Sequence, residues 1–355
     1  MQRSPAPTIV DVAERAGVSL ATASRALSNY GRVSAKTVEK VHRAAEEIGY
    51  RPNELARAMR VGSTRTIGLV IIADFTNAFF DRATKAIVDA ARAHGYQVLI
   101  TNTDEDIEVE RQAVLTLLDK QVDGLIVVPS LAQEHPHLGT AQLGARPVVL
   151  IDRRIEGLDI TSVTTDDLSG TRAAVLDAVS KGHRHLGFLV SAVGVETFTE
   201  VEPAEMISTV RDRTDGFRQG ASDAGVPLSR QAWLYCADEP ESSEAAVSAM
   251  LDAPEPPSVF FTSNNDMALA VLKVAGTRGL RIGTDLSLVT VDDSVWAAAM
   301  VPGITVVARP VEELGQIAVA RLVDQIESRE RGVEAIELPT ELISRGSVAT
   351  LSTGR

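Results

Sequence analysis

The sequence predicts an α/β protein: a small all-helical head followed by a body of two doubly wound parallel-sheet subdomains. Three observations carry this. Residues 8–48 hold three short apolar stripes at helical spacing, with no strand-like run among them. From Thr66 the pattern changes to continuous apolar strands alternating with amphipathic helices, which is how a parallel sheet covered on both faces reads. At 355 residues, moreover, the chain is long enough for more than one core.

The first predicted helix opens at "TIVD", where Thr8 caps and Asp11 is its capping-box partner three residues on. Ile9, Val12, Ala13 and Ala16 share a face, and Gly17 ends the helix. Ser19 caps a second helix, "SLATASRALSN", with Ala23, Ala26 and Leu27 inward and Leu20, Ala21, Ser24, Arg25 and Ser28 outward. Ser34 caps a third, whose stripe is Val38, Val41, Ala45 and Ile48. Two helices joined by a glycine-containing turn form a helix-turn-helix, whose second helix enters the major groove by its N-terminal residues. Ser19 and Thr22 are suited to phosphate oxygens, Arg25 to the O6 and N7 of guanine, and Leu20 and Ala21 to thymine methyls.

Charge is distributed to match. The net charge of −13 argues against a polyanionic partner, yet residues 1–60 carry ten Lys or Arg against six acids. That surplus of four leaves −17 on the rest, so nucleic acid is confined to one end.

The stretch "YRPNELARAMR" is expected to form a short helix after Pro52, with Asn53 at its start. It is too short to hold alone. Paired with a second copy in a minor groove, it would set Arg57 and Arg60 near phosphates and wedge an apolar side chain between base steps. In the body, strands are predicted at "TIGLVII", "YQVLIT", "DGLIVV", "PVVLID", "HLGFLV", "WLYCA", "SVFFT" and "LSLVTV", separated by helices around 80–94, 107–120, up to Lys181, 211–224, 242–252 and from Asn265.

Ligands bind such sheets at the carboxyl ends of the strands. Asp74, Phe79 and Phe80 follow the first strand, Asp152 and Arg153 the fourth; Asn264 to Asp266 and Asp292 follow later ones. Carboxylates accept from vicinal hydroxyls, arginine donates in a fork, and aromatic faces cover a sugar ring. The motifs of dinucleotide, P-loop, hydrolase and zinc-protease chemistry do not occur, so no enzyme, cofactor or metal site is expected. Cys236, in "WLYCA", reads as a buried thiol. No apolar run approaches the roughly 18 residues of a membrane span, and "MQRSPAP" has no signal-peptide character, so a cytoplasmic location is expected.

Taken together, "TIVDVAERAGVSLATASRAL", "VSAKTVEKVHRAAEEIGYRPNELARAMR" and "TIGLVIIADFTNAFF" resemble the lactose-repressor (LacI/GalR) family of bacterial transcription regulators, over roughly residues 8–348. The resemblance implies a DNA-binding head over 1–51, a hinge helix and linker over 52–65, and an effector-binding, dimerising body over 66–355. That body would be periplasmic-binding-protein-like, its N-subdomain about 66–164 and 295–325 and its C-subdomain about 165–294 and 326–350. DNA contacts are implied for Thr8, Ser19, Leu20, Ala21, Thr22, Ser24, Arg25, Ser28, Asn53, Ala56, Arg57, Met59 and Arg60, with Met59 as the wedge where the family has Leu.

The strand-end positions make Asp74, Asp152, Arg153 and Asp266 candidate effector contacts; the resemblance adds Arg213 and supports Phe79, Phe80, Asn264 and Asp292, with Trp296 standing in for a missing stacking aromatic in "CADEPESSE". Implied partners are a palindromic operator, a sugar or polyol effector and a second copy of the chain. The resemblance implies a repressor of carbohydrate or polyol metabolism genes that effector releases; corepression and control by a partner protein are the alternatives, and a sugar-binding transport protein is the distant one. Residues 191–212, about ten longer than usual and acidic, read as a lid or a solvated loop. Ala23 stands where Val is usual, and Asn265 where Asp is usual.

Overall fold

A computed structural model of the chain describes residues 7–27, 33–51, 62–72, 78–132, 134–192, 206–237, 239–329 and 332–351. It divides into two compact units, 1–65 and 66–355. In the first, α1 (Ile9–Ala16), α2 (Leu20–Leu27) and α3 (Ala35–Glu47) enclose a small core. Val12, Ala16, Ala23, Ala26, Val41 and Ala45 meet there, so the second helix presents its small side to the other two. The Thr8 and Asp11 capping box is formed in both directions, and Gly17 takes a left-handed conformation (φ 58°) at the C-cap of α1. A side chain there would be strained. Ser19 Oγ accepts from Thr22 N at 3.1 Å, and Ser34 Oγ from Thr37 N at 3.3 Å, which starts α2 and α3 at the expected residues.

The second unit contains β1 (Thr66–Ile71), α4 (Ala78–Ala93), β2 (Gln97–Asn102), α5 (Ile107–Asp119), β3 (Gly124–Val127), a short α6 (Thr140–Leu143), β4 (Val148–Ile151) and β5 (Thr161–Thr165). There follow α7 (Asp167–Ser180), β6 (Leu186–Ser191), α8 (Ser208–Asp223), β7 (Gln231–Cys236), α9 (Pro240–Leu251), β8 (Val259–Thr262), α10 (Asn265–Thr277) and β9 (Ser287–Val291). The last elements are α11 (Val295–Ala299), β10 (Thr305–Ala308), α12 (Val311–Ser328), β11 (Ala335–Leu338) and β12 (Glu341–Ile343).

Among the described residues these strands form two six-stranded sheets, ordered β11-β5-β4-β3-β1-β2 and β12-β10-β9-β8-β6-β7. All described pairings are parallel except β10 with β12. Each sheet is covered on both faces. In the first, Ile67, Leu69 and Ile126 pack on α4 and α12, while Val70, Leu125 and Val127 pack on α5. In the second, Phe188 and Phe261 pack on α7 and α8, and Phe260 and Leu288 on α9 and α10. Burial on both faces explains the continuous apolar strand runs.

The subdomain limits differ from the sequence expectation. Residues 295–308 belong to the C-subdomain, because β10 pairs with β9 and Ala297 packs in that subdomain's core. Conversely, α12 packs on the first sheet, and β11 extends it beside β5, so 311–338 belong to the N-subdomain. The chain therefore crosses between halves after β5, after β10 and after β11. The expected hinge helix, with Asn53, Ala56, Arg57, Met59 and Arg60, lies outside the described residues, as do Ser28, Asp74 and 193–205 of the acidic stretch.

Candidate functional site

The carboxyl ends of both sheets face one cleft of about 480 Å³. Its geometry starts with two equivalent turns. Asp152 follows β4 and Asp292 follows β9, the matching strands of the two sheets. Both have positive φ, 66° and 72°, a region that aspartate tolerates better than most residues. Each donates its backbone N–H to the next strand, to Val163 O at 3.0 Å and Val307 O at 2.9 Å. Strand pairing thus turns both carboxylates out at corresponding points, one from each half.

Arg309 lies between them. It follows β10 at the crossover to α12, and its side chain is 4% exposed. Nε and Nη2 donate to Asp292 Oδ1 and Oδ2, both at 2.7 Å, and Nη1 donates to Asp152 Oδ1 at 2.6 Å. The guanidinium carbon stands 3.7 Å from the Phe79 ring centre, and Phe80 meets Phe79 edge-on at 5.0 Å. Burial alone would weaken this base. The charges of Asp292, Asp152 and Asp167 outweigh burial and hold Arg309 above the ordinary arginine value.

The other arginines are also matched within the protein. Arg213, on α8, donates to Asp167 Oδ2 from Nε at 2.7 Å, with Nη2 at 2.6 Å, and to Ser263 O at 2.7 Å. Burial pushes the Asp167 carboxyl up. The charges of Arg213 and Arg309, with hydrogen bonds from Thr165 and Arg213, more than reverse this and leave it below the usual carboxylate range. Arg153 grips Glu105 with both terminal nitrogens and also donates to Pro129 O at 2.9 Å. On one flank of the cleft Arg154 bridges the halves to Asp212 at 2.5 and 2.7 Å. On the other, Arg82 donates to Asp293 O at 3.2 Å.

Of the side chains singled out from sequence, Phe79, Phe80, Asp152, Arg153, Arg213, Asn264 and Asp292 line this cleft. Asn264 also caps α10, its Oδ1 accepting from Met267 N at 2.9 Å. Asp266 and Trp296 do not line it. Asp266 is exposed in the first turn of α10, where the helix has rotated its side chain away, and Trp296 packs against the C-subdomain core beside Ala297. Arg309, Asp104, Glu105 and Glu239 line the cleft without having been singled out. For Arg309 the available signal was the apolar run "ITVVA" ending in "RP", which reads as a strand followed by a residue at its carboxyl end. No cluster of three or more His, Cys, Asp or Glu suited to a metal ion occurs among the described residues. No helix among them is long and apolar enough to cross a membrane.

In the head, Leu20 is 49% exposed, and Ala21 and Arg25 are exposed beside it. Arg25 Nε donates to Ala21 O at 3.1 Å, so its guanidinium lies back along α2. Ser19 and Thr22 hydroxyls are 2.8 Å apart at the start of that helix. Thr22 and Ser24 are half-buried, and Thr8, at the start of α1, is exposed.

Residues 8–53 match the model for "Bacterial regulatory proteins, lacI family", and residues 177–348 match the periplasmic binding protein-like domain. The chain is 30% identical over 348 residues to the HTH-type transcriptional regulator DegA of Bacillus subtilis (strain 168), covering 98% of this chain and 99% of that protein. It is 32% identical over 338 residues to the ribose operon repressor of Halalkalibacterium halodurans, covering 95% and 96%. Among solved structures, the Lac repressor dimer bound to operator and the anti-inducer ONPF superimposes with a TM-score of 0.82 at 25% identity, over 97% of this chain and 99% of that one.

Proposed function

The chain belongs to the LacI family of bacterial regulatory proteins, and from that premise we propose that its head reads an operator while its cleft takes a sugar-like effector. It is a DNA-binding transcription regulator, as its relatives are. The observation that carries the proposal is the pairing, in one chain, of two features. One is the exposed Leu20, Ala21 and Arg25 face of α2; the other is a cleft walled by carboxylates, guanidiniums and two phenylalanines.

On this reading α2 enters the major groove. Arg25 swings from Ala21 O to a base edge, and Leu20 and Ala21 meet thymine methyls. Ser19, Thr22, Ser24, Ser28 and Thr8 take phosphates. A head this small spans few base pairs, so two copies on a palindrome give useful specificity, which is why a homodimer belongs to the proposal. Residues 52–60 would fold in the minor groove, with Met59 as wedge, Arg57 and Arg60 at phosphates, and Asn53 and Ala56 beside them. In the cleft, Asp152, Asp292, Arg153, Arg213 and Asn264 would hold hydroxyls, and Phe79 and Phe80 would cover an apolar ring face. Binding rather than turnover is the proposed chemistry, repression relieved by effector the proposed sign, and the cytoplasm the proposed location.

Titration of the full chain against its own promoter region tests the head. Arg25→Ala should cost specific DNA about 1–3 kcal/mol, and Met59→Asp should abolish specific binding while cleft ligands still bind. Operator affinity unchanged in Met59→Asp would remove the wedge. Operator affinity indifferent to every ligand that binds the cleft tightly would remove the switch.

A further inference from the structure

The cleft's charges are already spent on one another. Arg309 serves Asp152 and Asp292, Arg213 serves Asp167, and Arg153 serves Glu105. Two more carboxylates, Asp104 and Glu239, line the same cleft, and among the described residues no ion pair joins either to an arginine. The wall thus carries Asp104, Glu105, Asp152, Glu239 and Asp292 against Arg153, Arg213 and Arg309, with Asp167 behind. Negative charge is in excess although three guanidiniums are present.

We propose that Arg309, locked between Asp152 and Asp292, fixes the charge class of the effector: the cleft takes an uncharged polyhydroxylated ligand and refuses its phosphorylated and carboxylated relatives. This rests on the cleft being the effector site. A phosphate entering here meets the surplus of carboxylates, or it must pull a guanidinium from its partner and leave that carboxylate buried without a counterion. A hydroxyl does neither. It can donate to a carboxylate lone pair that Arg309 leaves open, and accept from a guanidinium N–H beyond the three that hold Asp152 and Asp292. Arginine in a ligand pocket would ordinarily suggest an anion. Its bidentate grip on Asp292 reverses that expectation here.

The test is ligand-dependent thermal unfolding of the full chain, followed by the fluorescence of Trp233 and Trp296, both of which lie in the body. The probes are D-ribose, D-glucose, D-ribose 5-phosphate, D-glucose 6-phosphate, D-gluconate and inorganic phosphate, against KCl at equal ionic strength. In the parent, no anionic probe should raise the transition saturably. In Asp292→Asn, which removes the negative charge that Arg309 grips through Nε and Nη2, inorganic phosphate should raise it by roughly 3–5 °C at tenfold excess over its Kd. Asp152→Asn, which removes the carboxylate charge held through Nη1 alone, should show a smaller rise and serves if the first variant fails to fold. Saturable stabilisation of the parent by any anionic probe overturns the proposal, as does an equal response to phosphate in parent and variants. If neutral sugars give no shift, the effector reading is weakened on its own, because the phosphate comparison between parent and variants still decides the charge question.

Discussion

Arg309→Met would remove the charge at the centre of the cleft while keeping a side chain of adequate length. Two carboxylates depend on that charge, and both residues are buried, Asp152 at 5% and Asp292 at 6% exposed. Removing one partner of a buried ion pair costs about 3–5 kcal/mol, because the other charge stays buried and unpaired. Loss of the contact with the Phe79 ring adds about 0.5–2 kcal/mol. A deficit of about 4 kcal/mol is expected at neutral pH, which at 2–4 °C per kcal/mol lowers the body's transition by roughly 8–16 °C. Urea unfolding followed by tryptophan fluorescence at pH 7.5 measures the deficit. Adding Asp152→Asn and Asp292→Asn to the same chain should restore most of the loss, since no orphan charge then remains. A deficit below about 1 kcal/mol would refute the view that Arg309 neutralises this pair.

Three further outcomes follow from the packing and from charge. Gly216→Ala would place a methyl 2.4 Å from Leu168 O and 3.0 Å from Thr171 Cβ, so α7 and α8 must part, at a cost of about 1–3 kcal/mol read by thermal melting. Cys236 is fully buried, so Ellman's reagent should leave the native chain unlabelled and titrate one thiol after unfolding; native labelling at the unfolded rate would show that β7 opens readily. Asp167 has a folded-state pKa below its unfolded value, so its contribution is complete above about pH 4 and is lost as pH falls through the lowered value. Asp167→Asn should therefore destabilise the chain at pH 7 and flatten its acid limb below about pH 4, measured by urea midpoints at successively lower pH.

What sequence could and could not reveal follows from how each strand is buried. "TIGLVII", "HLGFLV" and "SVFFT" are apolar on both faces and declare themselves. From their ends Phe79, Phe80 and Asn264 could be named, and all three line the cleft. "TSVTT" (161–165) is equally buried but is made of Thr and Ser around one Val, and "TVVA" (305–308) is only four residues long. Missing those two strands had three consequences with one cause. The residues at their carboxyl ends, Asp167 and Arg309, went unnamed, and the subdomain limits were misplaced around 295–338. Asp266 shows a different limit. Proximity in sequence to a strand end does not survive the first turn of a helix, which points Asn264 at the cleft and Asp266 at solvent.

The two unnamed residues are also the ones that stand at crossovers between the halves. Asp167 opens α7 directly after the chain leaves β5, and Arg309 follows β10 directly before α12. Asp167 reaches Arg213 on α8, and Arg309 reaches Asp152 and Asp292, so the segments about which the halves would turn are bonded to the walls a ligand touches. A ligand hydroxyl that donates to Asp152 or Asp292 shares those oxygens with Arg309. Should that contact differ between two arrangements of the halves, the ligand would shift the equilibrium between them. No relay of residues through the body is needed to connect cleft to crossover, because Arg309 belongs to both.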